Sequence, residues 1–373
     1  MMENRNDRAR NPVIASPNRL KLAVFGLNVS SGCAMTSAAG TLRIEWCESI
    51  RLAQAAEAAG FEAIIPVARW RGFGGATNFN HRSFETMTWA AGLAAATERI
   101  GIFATVHTPT VHPVRAAKEA ATIDHISAGR LTLNLVAGWN AEEIRMFGTP
   151  QMEHDDRYAL ADEWLALAKR LWTEGSFDFK GRFFDAPAAY SEPKPIQSPW
   201  PAIMSAGVSP AGRDFAARQA DLNFAIGLDV AAVGATAKAV KQLARERYAR
   251  EVSVFAMAYV VCRPTEAEAR RYYDYYVYEK GDVAAARNLL ATFIPNSRSA
   301  PAGQLDAMID HFIAGYGGLP LIGTPAQVVE EMGKIAAAGV DGLTLCWVDY
   351  DEGIAQYREE LRPRLIESGL RES

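Results

Sequence analysis

About eight short apolar runs recur along this chain, and nearly every one is followed by a segment with helical periodicity. They fall at 20–27, 61–66, 100–106, 131–136, 202–206, 221–226, 252–262 and 340–347. Runs of this length rich in Val, Ile and Leu read as strands buried on both faces, and strands alternating with helices read as βαβ units around a parallel sheet. One open doubly wound sheet is possible, but the number and even spacing of the strands favour a closed α/β barrel, the (β/α)8 TIM barrel, with insertions. The domain reading is a flexible tail over 1–18, then a single barrel over 19–373. Insertions fall near 175–200, a Phe-, Gly- and Pro-rich stretch that suggests a hairpin, and near 280–322, which suggests a lid.

In such folds ligands bind at the carboxyl ends of the strands. The stretch Leu131 to Gly148, LTLNLVAGWNAEEIRMFG, shows why this matters here. Asn134 sits inside a buried strand, where an amide is costly unless something pairs with it. Asn140 stands at an N-cap, with Glu142 and Glu143 in the first helical turn, where the helix dipole favours carboxylates. Under the barrel reading Asn28, Ser30, Arg69, Thr105, His107, Asn134, Glu143 and Ser209 converge at one rim. Ser209-Pro210 opens a helix after Gly207, which gathers backbone N–H groups and a hydroxyl at one spot. Arg157-Tyr158 adds a cation, so an anionic phosphate is a natural ligand there.

Other chemistries find little support. AGVSPAG lacks the GxSxG pattern of a nucleophile elbow. The six histidines form no HExxH, so no metal site is expected. The glycines after strand two are not a dinucleotide fingerprint. With a net charge of −4 and no Lys/Arg cluster, no nucleic-acid partner is expected. Cys33, Cys47, Cys262 and Cys346 show no CxxC spacing, and no apolar run reaches the length of a membrane span. A cytoplasmic setting follows, without membrane association. The alanine-rich helices MTWAAGLAAA and AAKEAATI offer a face for a homo-oligomer, a dimer or tetramer.

Several motifs in order, RGFGG, ATIDHISAGR, NLVAGWNAEE, HDDRY and AG-x-S, resemble the bacterial luciferase-like flavin monooxygenases, closest to the group of the pyrimidine and dimethyl sulfone oxygenases. The resemblance covers 20–226 well and the remainder more loosely. It implies a barrel that takes reduced FMN from a separate NAD(P)H:flavin reductase and uses O2 on a small organic substrate. Carried over, flavin contacts fall on Ala68, Arg69, Asn134, Glu143, Arg157, Tyr158 and Ser209. Thr105 and Asn134 would act at the reacting edge, and Ile65, Val67 and Val136 would form an O2 pocket. Asn28 and Ser30 would lie on the substrate side. The implied chemistry is a nucleophilic flavin peroxide, formed at N5, that oxygenates and cleaves an electron-poor compound: a pyrimidine-like cyclic amide, a sulfone or a halogenated aromatic. His107 stands where the pyrimidine enzyme has a small residue; it reads as a substrate partner, a general acid or a capped loop histidine. A deazaflavin-dependent dehydrogenase and a non-catalytic flavin-binding protein are the alternatives on the same barrel.

Overall fold

The computed structural model describes residues 7–293 and 308–373. Eight parallel strands close a barrel in the order β1 (Lys21–Phe25), β2 (Ala63–Ile65), β3 (Gly101–His107), β4 (Leu131–Val136), β7 (Ala202–Ser205), β8 (Leu222–Ala225), β9 (Ser253–Cys262) and β11 (Gly342–Cys346), which returns to β1. The strands are buried along nearly their whole length because side chains fill the interior while helices cover the outside. The covering faces are alanine-rich: Ala116, Ala117 and Ala120 are fully buried, which lets the helix Pro113–Ile126 approach the wall closely.

The 175–200 excursion is the expected antiparallel hairpin, β5 (Phe177–Lys180) with β6 (Asp185–Ala189). The 280–322 stretch holds more regular structure than its sequence suggests. Its described parts form the helices Val283–Phe293 and Ile309–Gly315 and a ninth parallel strand of the large sheet, β10 (Leu319–Gly323). Strand β9 is ten residues long. Its first half pairs with β8 and its second half, from Ala258 to Cys262, pairs with β10, so β10 heightens the wall. Pro320 hides this strand from sequence reading; it is tolerated because β10 is bonded along one edge only. The remainder of the expected lid, 294–307, lies outside the described residues.

The N-terminal segment is not a loose tail from Arg8 onward. Asn11 is fully buried: its Nδ2 donates to Leu131 O and Thr132 Oγ1, each at 2.9 Å, and its Oδ1 caps the short helix Pro12–Ala15. Arg8 pairs with Asp221 at 2.8 Å. These bonds seal the amino-terminal end of the barrel beneath β4. Residues 1–6 lie outside the described residues.

Candidate active site

At the opposite end, the strands' carboxyl termini surround a cavity of about 220 Å³. Its centre is set by register: Thr105 on β3 lies directly across from Asn134 on β4. The Thr105 hydroxyl donates to Pro66 O at 2.9 Å, so it must accept, and Asn134 Nδ2 donates to it at 3.3 Å. That chain of bonds fixes which way the amide points. Asn134 Oδ1 is left buried without a hydrogen-bond partner in the protein, a cost of about 1–3 kcal/mol for an unsatisfied group. Of the two residues expected at the reacting edge, only Asn134 therefore has a hydrogen to offer. The hydrogen of Thr105 is committed to the backbone, while Asn134 offers the cavity an acceptor and its second N–H.

Arg69 and Glu143 form the side of the site. Asn140 accepts from the Glu142 and Glu143 N–H groups and starts the helix Ala141–Met146, which aims Glu143 inward. Its carboxylate accepts from Trp70 N at 2.8 Å, Arg71 N at 3.1 Å and Arg69 Nη1 at 3.3 Å. Arg69 itself lies between the rings of Phe73 and Trp139, 5.1 and 4.9 Å from their centroids, and donates to the Tyr316 hydroxyl at 3.3 Å. Arg69 lines the cavity; Glu143 does not, and instead holds Arg69 and its loop in place. His107 is buried on the same wall. Burial, and then the Arg69 cation, push its imidazole down to about 4. It is neutral at ordinary pH, which favours a hydrogen-bonding role over that of an imidazolium acid.

The other end of the cavity is built for an anion. Ser209 caps the helix Pro210–Gln219 by accepting from Gly212 N at 3.1 Å, and Tyr158 is hydrogen-bonded to Ser209. Burial raises the Tyr158 phenol, which stays protonated. Gly207 and Gly212 leave a cradle: a Cβ on Gly207 would come within 2.6 Å of the Gly212 Cα and 2.8 Å of the Tyr158 hydroxyl. Arg157, buried beside them, donates to Gly138 O at 2.5 Å.

Of the remaining expected residues, Ala68, Val67 and Val136 line the cavity. Ile65 is fully buried in β2 and is not on the wall. Asn28 does not line the cavity: its amide clamps Val67, donating to Val67 O and accepting from Val67 N at 2.8 Å each. Ser30 also lies off the cavity, near His81 and the Arg82 N–H. Phe25, Trp139, Phe224 and Tyr316 line the cavity without having been expected there. Trp139 follows Gly138 in the quoted motif and was legible; Tyr316 comes from the 280–322 stretch, where only tertiary packing brings it in. A second, outward-opening cleft of about 540 Å³ shares Ala68, Arg69, Thr105 and His107 with the first and is rimmed by the exposed Trp46 and Trp70.

Residues 23–342 match the family model for luciferase-like monooxygenases. The chain is 30% identical over 353 residues to the FMNH2-dependent dimethylsulfone monooxygenase of Pseudomonas putida, covering 93% of this chain and 96% of that protein. It is 34% identical over 321 residues to the pyrimidine monooxygenase RutA of Escherichia coli, covering 84% and 87%. Among solved structures it is similar to riboflavin lyase RcaE, determined with modified FMN and riboflavin (TM-score 0.84, 21% identity, 95% of this chain and 93% of that one). It is also similar to the EDTA monooxygenase EmoA of Chelativorans (TM-score 0.81, 20% identity, 94% of each). At those identities the structural likeness speaks for the fold alone.

Proposed function

The chain belongs to the luciferase-like monooxygenase family, and from that premise we propose that it is a two-component monooxygenase. It would take reduced FMN from a separate NAD(P)H:flavin reductase and use O2 to oxygenate a small, electron-poor organic substrate. The observation that carries this reading is the buried, partnerless Asn134 Oδ1 at one end of a cavity whose other end is the cradle of Arg157, Tyr158 and Ser209. A planar ring with an N–H edge and an anionic tail meets both ends. Arg157, Ser209 and the helix N-terminus behind it would hold the phosphate; Asn134 would hold the ring.

Bound reduced flavin supplies the electrons that activate dioxygen. The protein's part is placement and polarity. Val67 and Val136 keep the wall beside Thr105 apolar, which excludes water while admitting O2. The second N–H of Asn134 is positioned by Thr105 and stabilises negative charge that develops on oxygen, as an oxyanion donor does. Neutral His107 offers one donor and one acceptor to a substrate entering from either opening. The relatives act on a sulfone and on pyrimidines, and the substrate classes that suit this site are a cyclic amide, a sulfone or a halogenated aromatic. No helix among the described residues is long and apolar enough to cross a membrane.

The test is rapid mixing of the protein with reduced FMN and isotopically labelled dioxygen in the presence of candidate substrates. Label in the product supports the reading. Tight FMN binding with no labelled product from any of the three classes removes the proposed substrate range, and absence of FMN binding removes the oxygenase reading itself.

A further inference from the structure

The tyrosine-rich run YYDYYVY, residues 272–278, plays no part in the site described above. It forms the end of the helix Glu266–Asp274 and the π-helical turn Tyr275–Glu279 that continues it. Its rings touch one another: Tyr273 lies 5.7 Å from Tyr276 and 6.0 Å from Tyr278, centroid to centroid. Tyr273 also stacks on Tyr259 of β9 at 6.4 Å, and the two hydroxyls are hydrogen-bonded. Tyr259 is the cross-strand neighbour of Cys346 on β11. Cys346 donates to Ala258 O at 3.6 Å and lies beside Cys33, whose sulfur is 3.7 Å from the Tyr350 hydroxyl oxygen. Tyr350 and Cys33 both donate to the carbonyl of Phe25, whose residue lines the cavity. A row of oxidisable side chains thus runs from Cys33, which lies behind the cavity-lining Phe25, to Tyr278, which is 61% exposed.

Packing alone does not call for this chemistry. Phenylalanine would fill the same space at the buried Tyr259 and Tyr273, whereas the Tyr276 and Tyr350 hydroxyls also satisfy Ala314 O and Phe25 O. The outer end is also equipped for proton release: the Tyr278 hydroxyl donates to the Asp310 carboxylate at 3.0 Å. A phenol gives up an electron readily only when its proton has somewhere to go.

We propose that the row Cys33–Cys346–Tyr259–Tyr273–Tyr278 carries one-electron oxidising equivalents out of the active site to the surface. The inference rests on the oxygenase reading, because the oxidant it disposes of is the hydroperoxyl radical released when oxygen is reduced without substrate. That radical takes one electron through the row and one proton from solvent and becomes hydrogen peroxide. Tyr278 loses the electron, and its proton passes to Asp310, which leaves a neutral phenoxyl radical. A small thiol in solution returns one hydrogen atom to Tyr278, the thiyl radicals so formed couple in pairs to a disulfide, and Asp310 releases the transferred proton to solvent. The row spares the cavity wall from oxidation during unproductive turnover.

The test uses the full chain loaded with reduced FMN and exposed to oxygen without substrate. Freeze-quenched electron paramagnetic resonance reads the radical, hydrogen peroxide release reads unproductive turnover, and peptide mapping reads damage. The wild type should show a phenoxyl signal that a thiol quenches. Tyr278→Phe, at an exposed position, should abolish that thiol-sensitive signal without changing peroxide release. Tyr259→Phe and Tyr273→Phe should shift oxidation inward to Cys33 and Tyr316 and raise inactivation per peroxide released several-fold. Peroxide release with the same radical yield and damage map in all four proteins overturns the inference alone. No oxygen uptake by any of them overturns the oxygenase reading together with it.

Discussion

Asn134 donates to Thr105 across the β3–β4 ladder while its own carbonyl oxygen is left buried and unbonded. A strand interior does not keep an orphaned acceptor for stability, since a buried polar group without a partner costs free energy. The relationship assigns different roles to two residues that look alike in sequence. Thr105 orients; Asn134 presents.

Replacing Asn134 by Ala should therefore lower the rate of substrate oxygenation by roughly 10²–10³, the range seen when one charge-stabilising donor is removed. Thr105→Val should lose less, because the amide remains with its orientation loosened. Both proteins should still bind FMN through the phosphate end. Steady-state kinetics beside flavin titration checks this, and equal losses for the two variants would contradict the assignment.

The Arg69–Glu143 pair is almost fully buried, with side-chain exposures of 2% and 0%. Glu143→Gln keeps an acceptor for the Trp70 and Arg71 N–H groups but leaves the guanidinium without its counter-charge. It should cost about 3–5 kcal/mol of stability. Arg69→Met should cost less, because the carboxylate it abandons still receives two backbone N–H donors. Denaturant unfolding of the two single variants measures the order, and the reverse order would show that Arg69 stabilises by its ring contacts rather than by charge.

His107 supplies a pH signature. Its imidazole has a pKa near 6.5 when unfolded and about 4 in the folded protein. Between those values the unfolded chain binds the proton first. The stability that neutral His107 contributes is complete above pH 6.5 and is lost as the pH falls toward 4, a change of about 3 kcal/mol. The wild type minus His107→Gln difference in unfolding free energy should follow that curve. A difference that stays flat with pH would mean that the imidazole is hydrated in the folded state.

The anion end predicts ligand discrimination. Arg157→Met should weaken FMN by roughly 10–100-fold while leaving riboflavin, which lacks the phosphate, nearly unchanged. Gly207→Ala should weaken both, because its Cβ would press on Gly212 and Tyr158. Flavin fluorescence titrations separate the two outcomes. Equal weakening of FMN and riboflavin by Arg157→Met would place the phosphate elsewhere.

At the other end of the barrel, Asn11→Ala should destabilise the chain by about 1–3 kcal/mol with no effect on flavin affinity, since it removes a fully buried set of bonds far from the cavity. Urea unfolding measures it. A change within error would return the N-terminal segment to the role of a loose tail.

The barrel was legible in the residues because parallel strands buried on both faces must be apolar throughout, and the helices between them must show a 3.6-residue period. Asn134, Thr105, His107, Arg157 and Ser209 were legible for a related reason: polar groups at strand ends and helix starts announce themselves against an apolar background. Local pattern could not decide direction and partnership. Only packing in three dimensions turned Asn28 into a clamp on Val67, withdrew Ile65 and Ser30 from the cavity, made Glu143 a support for Arg69 and brought Tyr316 in from the far end of the chain. Strand β10 stayed hidden because Pro320 is acceptable on a strand bonded along one edge, and the sequence does not say which edge that is. Periodicity is a property of neighbours in the chain and so survives in the sequence. Which buried polar atoms find partners depends on residues hundreds of positions apart, and the folded packing alone decides it.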